Sequence, residues 1–232
     1  MHVALVTVGD ELLAGETVNT NAAWLGRQLG ERGADLERMT VVPDRVGDIA
    51  EVVNEYRARY DAVVVTGGLG PTHDDVTMEG VAAAFGTELA HSAAVEAWLT
   101  DEGGYTADDL AAGTTHIPAR AEFLRNPGGV APGCTIENVY VLAGMPEEMK
   151  GMFELVAGEF TGQQRYVEVV ETTEAESELL GRISDVQEQF GVRVGSYPGE
   201  VVRLRLEGTD PETVDTAAAW LRDCVDEPDG QA

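Results

Sequence analysis

The 232 residues include 42 acidic and 15 basic side chains, for a formal net charge of -27, and 44% are hydrophobic. This length and apolar content suit one large domain plus a small one and exclude a disordered or fibrous chain. The charge repels nucleic acid and anionic membranes, so we expect neither as a partner. No apolar run approaches the roughly 20 residues that span a bilayer, and no secretory leader is evident, which predicts a cytoplasmic protein.

Acidic residues occur throughout the chain, and Lys150 is its one lysine. This pattern predicts a solvated acidic surface of the kind found in salt-loving organisms, where ions screen the self-repulsion; an acidic protein from an ordinary cell is the alternative. Cys134 and Cys224 form neither a CxxC pair nor a disulfide framework, which predicts packing roles in a reducing compartment.

The first part of the chain alternates short apolar runs with amphipathic stretches, which predicts a mostly parallel sheet covered by helices. The predicted elements are strands at 2–8, 36–42, 62–66 and 139–142, and helices at 21–32, 46–60, 77–85, 92–112 (broken at Gly103 and Gly104) and 146–160. We therefore predict a three-layer α/β domain over residues 1–161.

A short polar segment at residues 161–164 precedes a change of pattern. The elements predicted after it are strands at 166–172, 192–197 and 201–207, and helices at 176–189 and 211–225. This order predicts a small α+β domain over residues 165–226, with helices on one face of its sheet and a frayed tail.

A glycine-rich loop, GGLGPTHDD, runs from Gly67 to Asp75 between a buried strand and a helix. Gly67, Gly68 and Gly70 allow backbone amides to turn toward a ligand, and the helix start favours an anion such as phosphate. No lysine follows, so the loop is not a Walker A motif, and its spacing is not GxGxxG. A tight strand-to-helix turn is the alternative interpretation.

Asp74 and Asp75 end this loop, and the alternative for at least one of them is a helix N-cap. Two carboxylates beside a phosphate cradle would repel the phosphate unless a divalent cation bridges them, which favours a metal-assisted phosphate site. Glu11 follows the first strand and would meet the Gly67 loop if the two strands are neighbours. Asp44 follows the second strand, where turn chemistry is the alternative, and residues 19–21 are interpreted as a helix cap.

Five motifs together resemble the amino-terminal, MogA-like molybdopterin-binding domain of the CinA competence/damage-inducible family, and they occur in family order. They are GDELLAGETVNTN from Gly9, VVPD ending at Asp44, TGGLGPTHDDVT from Thr66, NPGGVAPG from Asn126 and AGMPEEMK from Ala143. Residues 165–207 resemble the family's small middle domain. We expect the carboxy-terminal deamidase domain of full-length members to be absent.

The resemblance implies a pyrophosphatase that depends on a divalent metal, Mg²⁺ or similar, and acts on ADP-ribose or a related dinucleotide. It implies that Asp74, Asp75 and Asp44 hold the metal, and that Asp75, Asp44 and Glu11 are catalytic, with Glu11 as the base. The residues implied to contact the nucleotide are Gly67, Gly68, Gly70, Thr72, Asn126, Gly129 and Pro146. Pro146 with Glu148 would close one side of the pocket, and His73 would contact phosphate or face solvent.

Two other functions stay open. The same loop is similar, more distantly, to the GGTGxxxRD loop of molybdopterin adenylyltransferases, whose ligands are a nucleotide and a pterin. Asp74 stands where those enzymes carry arginine, which favours the CinA interpretation. A non-catalytic ligand-binding module is the third possibility. We also expect a homo-oligomer, because leftover apolar faces in such sheets often pair subunits.

The charge of -27 predicts that the protein loses stability when salt is removed, since the repulsion between carboxylates is then weakly screened. The expected result is an unfolding midpoint that rises steadily across a series of increasing salt concentration. A midpoint that is unchanged, or higher, in dilute buffer would rule out adaptation to high salt.

Overall fold

A computed structural model describes residues 1–70, 75–106, 110–111, 113–226 and 228. The chain divides into two compact units, Met1–Gly162 and Gln163–Ala232. This division falls inside the polar segment at residues 161–164. Within the described ranges, no helix combines the length and the apolar character needed to pass through a membrane.

The first unit contains eight strands among its described residues. They are β1 (His2–Val8), β2 (Asp35–Val42), β3 (Ala62–Gly67), β4 (Leu89–His91), β5 (His116–Pro118), β6 (Glu122–Leu124), β7 (Gly133–Ile136) and β8 (Val139–Ala143). Six of them form one sheet in the order β2-β1-β3-β8-β7-β6, and β4 pairs with β5 separately. The first four strands of that order are parallel, and β7 pairs antiparallel with β8 on one side and with β6 on the other.

The mostly parallel sheet is confirmed, but β4 to β7 were not predicted. Each of these strands has only three or four residues, too few to show the alternation that identifies a strand in a sequence. Of the four, β7 pairs with the predicted strand β8, whereas β4 pairs with β5 and β6 pairs with β7.

The helices of the first unit lie on both faces of its sheet. They are α1 (Asp10–Leu13), α2 (Thr20–Glu31), α3 (Val46–Arg59), α4 (Thr77–Ala84), α5 (Ala93–Asp101) and α6 (Pro146–Val156), the last followed by a 3-10 turn at Ala157–Glu159. The helix predicted to continue to residue 112 ends at Asp101, and Gly104 follows in a left-handed conformation with φ of 71°. Residues 107–109 and 112 of that prediction lie outside the described residues. The helix predicted to reach Phe160 ends at Val156.

Two separate cores, one on each face of the sheet, confirm the three layers. Along β3, Val63 packs against Ile49 of α3 on one face, and Val64 packs with Leu25 of α2 on the other. Full burial of each such side chain contributes roughly 1.5–3 kcal/mol. Cys134 belongs to the first of these cores, and burial raises the pKa of its thiol to about 12, in agreement with the predicted packing role.

The second unit follows the predicted β-α-β-β-α order. Its elements are β9 (Tyr166–Thr172), α7 (Glu176–Phe190), β10 (Arg193–Tyr197), β11 (Val202–Gly208) and α8 (Pro211–Cys224). The strands form an antiparallel sheet in the order β10-β11-β9. Leu204 and Leu206 of β11 are buried against Leu179 of α7 and Ala217 of α8, so both helices cover one face.

We predict that a broad-specificity protease cuts first at Gln163 and Gln164, which are exposed and outside helices and strands. Gly162 is held by a 3.2 Å hydrogen bond from its N–H to the Arg32 carbonyl, so cleavage is expected after it. Mass spectrometry of the early fragments should recover the two units. Protection of residues 161–164 together with rapid cutting inside residues 62–85 would contradict the division.

A second prediction concerns acid stability of the second unit. Arg182 donates two hydrogen bonds to Glu174 and, with the N–H of Asp226, lowers the pKa of the Glu174 carboxyl. A carboxyl whose pKa is lower in the folded state stabilises the fold above its unfolded pKa, and this contribution is lost as pH falls through the folded pKa. Unfolding midpoints measured from neutral to acidic pH should therefore drop less in Glu174→Gln than in the wild type. Parallel curves would show that this ion pair is not responsible.

Candidate functional site

A cavity of about 580 Å³ lies at the carboxyl ends of β1, β3 and β8. β1 and β3 are parallel neighbours, with Thr7 beside Thr66, so the loops that follow them meet at one edge of the sheet. Glu11 was predicted to lie near the Gly67 loop if the first and third strands were neighbours, and β1 and β3 are neighbours. The chain leaves β1 toward β2 on one side and returns to β3 on the other, and such a switch point is where open α/β sheets bind ligands.

The lining of this cavity is acidic. Its charged side chains, among the described residues, are four carboxylates: Glu11, Asp44, Asp75 and Glu148. No lysine, arginine or histidine lines it in the same part of the chain. An anionic ligand would therefore meet these four carboxylates, and a cation would reduce the repulsion.

Asp75 lies against the glycines of its own loop. A Cβ atom added to Gly68 would be 1.6 Å from Asp75 Oδ1, and one added to Gly70 would be 2.7 Å from Asp75 Oδ2. The carboxylate thus occupies the space that side chains at these two positions would need. Helix α4 begins at Thr77 with Val76 as its N-cap and no side-chain cap, so the N-cap interpretation is wrong for Asp75.

Two of the three glycines of the loop line the cavity, and the third is buried. Gly67 is buried below the cavity, where an added Cβ would be 2.4 Å from Thr77 Oγ1 and 2.8 Å from Val8 Cβ. Gly68 and Gly70 line the cavity. Thr72, His73 and Asp74 lie outside the described residues, so their roles stay predictions.

Glu11 and Asp44 are brought together by the ends of β1 and β2. Asp44 Oδ2 accepts a 2.8 Å hydrogen bond from the N–H of Asp10, the first residue of α1. Glu11 folds back against Gly9, since a Cβ added there would be 2.5 Å from Glu11 Oε1. The short helix α1 was not predicted, and it is the element that carries Glu11 to the cavity.

Two asparagines at the start of α2 also line the cavity. Asn19 caps α2 as predicted, because its Oδ1 accepts from Ala22 N–H at 3.0 Å. Its Nδ2 also donates to Thr7 Oγ1 at 2.9 Å. Asn21 Nδ2 donates to the Gly144 carbonyl at 2.7 Å, whereas its buried Oδ1 has no hydrogen-bond partner in the described part of the chain. The contact of residue 21 with residue 144 has no signal in the sequence.

Asn126 and Gly129 are not among the residues that line the cavity. Asn126 is 1% exposed and donates from Nδ2 to Glu148 Oε2 at 2.7 Å, and a Cβ added to Gly129 would be 2.6 Å from Glu148 Cδ. Both residues therefore position Glu148, which does line the cavity together with Pro146. Val130 and Ala131 of the same segment do line the cavity.

The described residues do not form a complete metal site. Among residues 1–70, 75–106, 110–111, 113–226 and 228, no three histidine, cysteine, aspartate or glutamate side chains lie close enough together to hold a metal ion. Asp44 and Asp75 nevertheless face the same cavity, and Asp74 of the predicted metal set is not described.

Comparison with known proteins places this geometry in a family. A protein-family model, described as a probable molybdopterin binding domain, matches residues 4–162. A protein of Archaeoglobus fulgidus is 34% identical over 229 residues, covering 98% of this chain and 99% of the relative. A CinA-like protein of Frankia casuarinae is 42% identical over 165 residues, which cover 66% of this chain and 38% of that protein.

A solved structure extends the likeness to three dimensions. The crystal structure of the protein CinA with unknown function from Thermoplasma acidophilum superposes with a TM-score of 0.63 at 34% identity. The match covers 68% of this chain and 97% of that one. The chain therefore belongs to the CinA family, and its residues 4–162 are that family's molybdopterin-binding-type domain.

Proposed function

We propose that the protein is a metal-dependent pyrophosphatase that cleaves ADP-ribose or a related dinucleotide. The observation that carries this proposal is the position of the Asp75 carboxylate against Gly68 and Gly70. A phosphate held by this loop would lie beside a carboxylate, in a cavity whose described lining has no basic side chain. A divalent cation between the carboxylate and the phosphate converts that repulsion into attraction.

The donor set fits Mg²⁺ better than a softer metal. The available side-chain ligands are carboxylate oxygens, and magnesium is usually held by one or two carboxylates, several waters and the phosphates of the substrate. Asp75 and Asp44 would supply the carboxylates, and Asp74 is the third candidate. A site of this kind needs no cluster of three protein ligands before substrate binds. The bound ion would neutralise phosphate charge and lower the pKa of a coordinated water.

The side chains around the cavity have separate tasks. Water attacks one phosphorus of the pyrophosphate, Glu11 accepts a proton from that water, and the bond to the bridging oxygen breaks. The bridging oxygen leaves with the second phosphate, so ADP-ribose gives AMP and ribose 5-phosphate. Asp10 N–H fixes Asp44, and Asn126 fixes Glu148, which keeps both carboxylates in place when the cavity fills.

A molybdopterin adenylyltransferase is the second candidate, because the matching domain model is described as molybdopterin-binding. That enzyme would consume ATP and a pterin and release pyrophosphate, whereas the pyrophosphatase needs only water and its dinucleotide. A ligand-binding module would bind without turnover. Product analysis after incubation with ADP-ribose, or with ATP and a pterin, in the presence of Mg²⁺ separates the three functions.

We predict that Asp75→Asn lowers metal-dependent hydrolysis of ADP-ribose by on the order of 100-fold or more, a typical loss when one electrostatic contact to a transition state is removed. Binding of ADP-ribose without metal should persist or tighten, because the substitution removes a negative charge beside the phosphate. Asparagine preserves the size of the side chain against Gly68 and Gly70. Turnover and calorimetric affinity are the two measurements.

The matched control is Asp185→Asn, which makes the same charge change at an exposed position on α7 of the second unit. It should keep wild-type activity, and both variants should unfold near the wild-type temperature. If Asp75→Asn folds normally and hydrolyses ADP-ribose at the wild-type rate, Asp75 has no catalytic role and the assignment of this loop is wrong.

A further inference from the structure

The sheet of the second unit has two edge strands, β9 and β10, and the β9 edge is partly covered. The Arg222 side chain donates to the Val169 carbonyl of β9 at 3.4 Å. The Asp226 carbonyl accepts from Thr172 Oγ1 at 2.8 Å and from the N–H of Thr173 at 3.2 Å. The end of α8 and the residues after it therefore occupy hydrogen-bonding groups along this edge.

The opposite edge, β10, is open. In the described part of the chain, no strand pairs with its outer side, and only β11 hydrogen-bonds to the backbone of residues 193–197. A strand edge with free N–H and C=O groups can pair with an extended segment of another chain. The five residues of β10 are close to the usual length of a strand, so the edge offers a full site for such pairing.

The side chains of β10 alternate between the two faces of the sheet. Arg193, Gly195 and Tyr197 lie on the face that no helix covers. Val194 lies on the other face and packs against the core beneath α7 and α8. Tyr197 is 51% exposed, and its ring crosses Gly195, where an added Cβ would be 3.0 Å from Tyr197 Cε2. An arginine and an aromatic ring therefore border the open edge on one face.

This uncovered face is positive, although the chain as a whole is strongly negative. The charged side chains on it or beside it are Arg165, Arg193, Arg203 and Arg205 against Glu171 and Glu207. Arg165 and Arg205 both pair with Glu207. Arg193 and Arg203 are exposed and form no ion pair within the described ranges, in a chain where 42 carboxylates outnumber 15 basic side chains. Such a surface is complementary to an acidic partner.

We propose that the outer edge of β10 binds an extended acidic segment of a partner protein by strand addition. The backbone of β10 supplies the hydrogen bonds, and alternate carboxylates of the segment lie beside Arg193 on the positive face. The intervening side chains lie beside Val194 at the margin of the core, which favours apolar residues there. The occupant therefore alternates acidic and apolar residues. This site belongs to the second unit and does not depend on the proposed function.

A polypeptide fits this edge better than a nucleic acid does. Strand addition uses amide and carbonyl groups at the spacing of a β-strand, which a sugar-phosphate backbone lacks. Tyr197 is the one aromatic side chain on the uncovered face of the described strands, so bases would find a single stacking position. The charge of -27 repels a long polyanion, whereas screening over roughly 8 Å lets a short segment respond chiefly to the nearby arginines.

Calorimetric titration of the full chain with a blocked decapeptide of alternating glutamate and valine tests the proposal. Two N-methylated versions of the peptide, one methylated at its glutamates and the other at its valines, separate strand addition from simple attraction between charges. Amides of successive residues in a strand point to opposite sides, so one orientation of the peptide uses only one set. One version should therefore bind like the parent peptide, and the other should lose most of its affinity.

Arg193→Glu should weaken the parent peptide by about 2- to 30-fold, because a cross-strand pair of opposite charges becomes a pair of like charges. Arg27→Glu is the matched control, since it makes the same change of charge at an exposed arginine of α2 in the first unit. It should leave the affinity unchanged, and both variants should unfold near the wild-type temperature. A decapeptide of alternating lysine and valine should not bind.

Three results would overturn the proposal and leave Arg193 as a charge that only discourages strand pairing. They are no binding of the alternating acidic peptide, equal affinities of its two methylated versions, and equal effects of Arg193→Glu and Arg27→Glu. Sedimentation of the protein alone adds a fourth: a wild-type dimer that Arg193→Glu dissociates would show that a second copy covers β10. Tighter binding of a thymidine decamer than of the peptide would assign the face to nucleic acid and overturn the proposal as well.

Discussion

The parallel pairing of β1 with β3 is the constraint on which the site depends. Because parallel neighbours end at the same edge of a sheet, this pairing places the loop that carries Glu11 beside the loop that carries Asp75. Both strands are buried on both faces, so a slip of the register by one residue would exchange the side chains of the two cores. The position of the cavity is therefore fixed by the burial of apolar side chains far from its polar residues.

Negative charge is the dominant property of the cavity, and the fold places it there by local contacts. The carboxylate of Asp75 fits against glycines, Glu11 folds against Gly9, and Glu148 is held by Asn126. Each carboxylate is close to backbone or amide groups, and no arginine or lysine in the described lining neutralises it. This arrangement is costly for binding an anion and favourable for binding a cation. It is the physical reason for proposing a metal-dependent reaction at phosphate.

Short antiparallel strands outside the parallel core border a second cavity of about 450 Å³ beside the first. The β4–β5 pair carries Leu89 and His116, which line the second cavity. The connection between β6 and β7 carries Val130 and Ala131, which line both cavities. These segments are the part of the first unit that departs from a regular alternation of strands and helices.

The sequence by itself determined most of the long elements and the mostly parallel sheet. β1 and β3 are continuous apolar runs, and α2 carries its apolar residues at helical spacing. Glu11, Asp44 and Asp75 follow β1, β2 and β3, so their convergence was predictable from the rule for parallel sheets. The motifs themselves were sufficient to identify the family. Local patterns carry this information because burial on a sheet or helix face repeats along the chain.

Only the tertiary structure decided which residues touch the cavity and which support it. Asn126 and Gly129 were predicted to contact the ligand, but they lie against Glu148. Asn21 was predicted as part of a helix cap, and its side chain also donates to the Gly144 carbonyl. The two hydrogen bonds, from Asn126 to Glu148 and from Asn21 to Gly144, span 22 and 123 positions of the sequence. Short strands and single polar contacts of this kind have no period in the sequence. They form because the packed core brings distant segments together and each buried polar group then needs a partner.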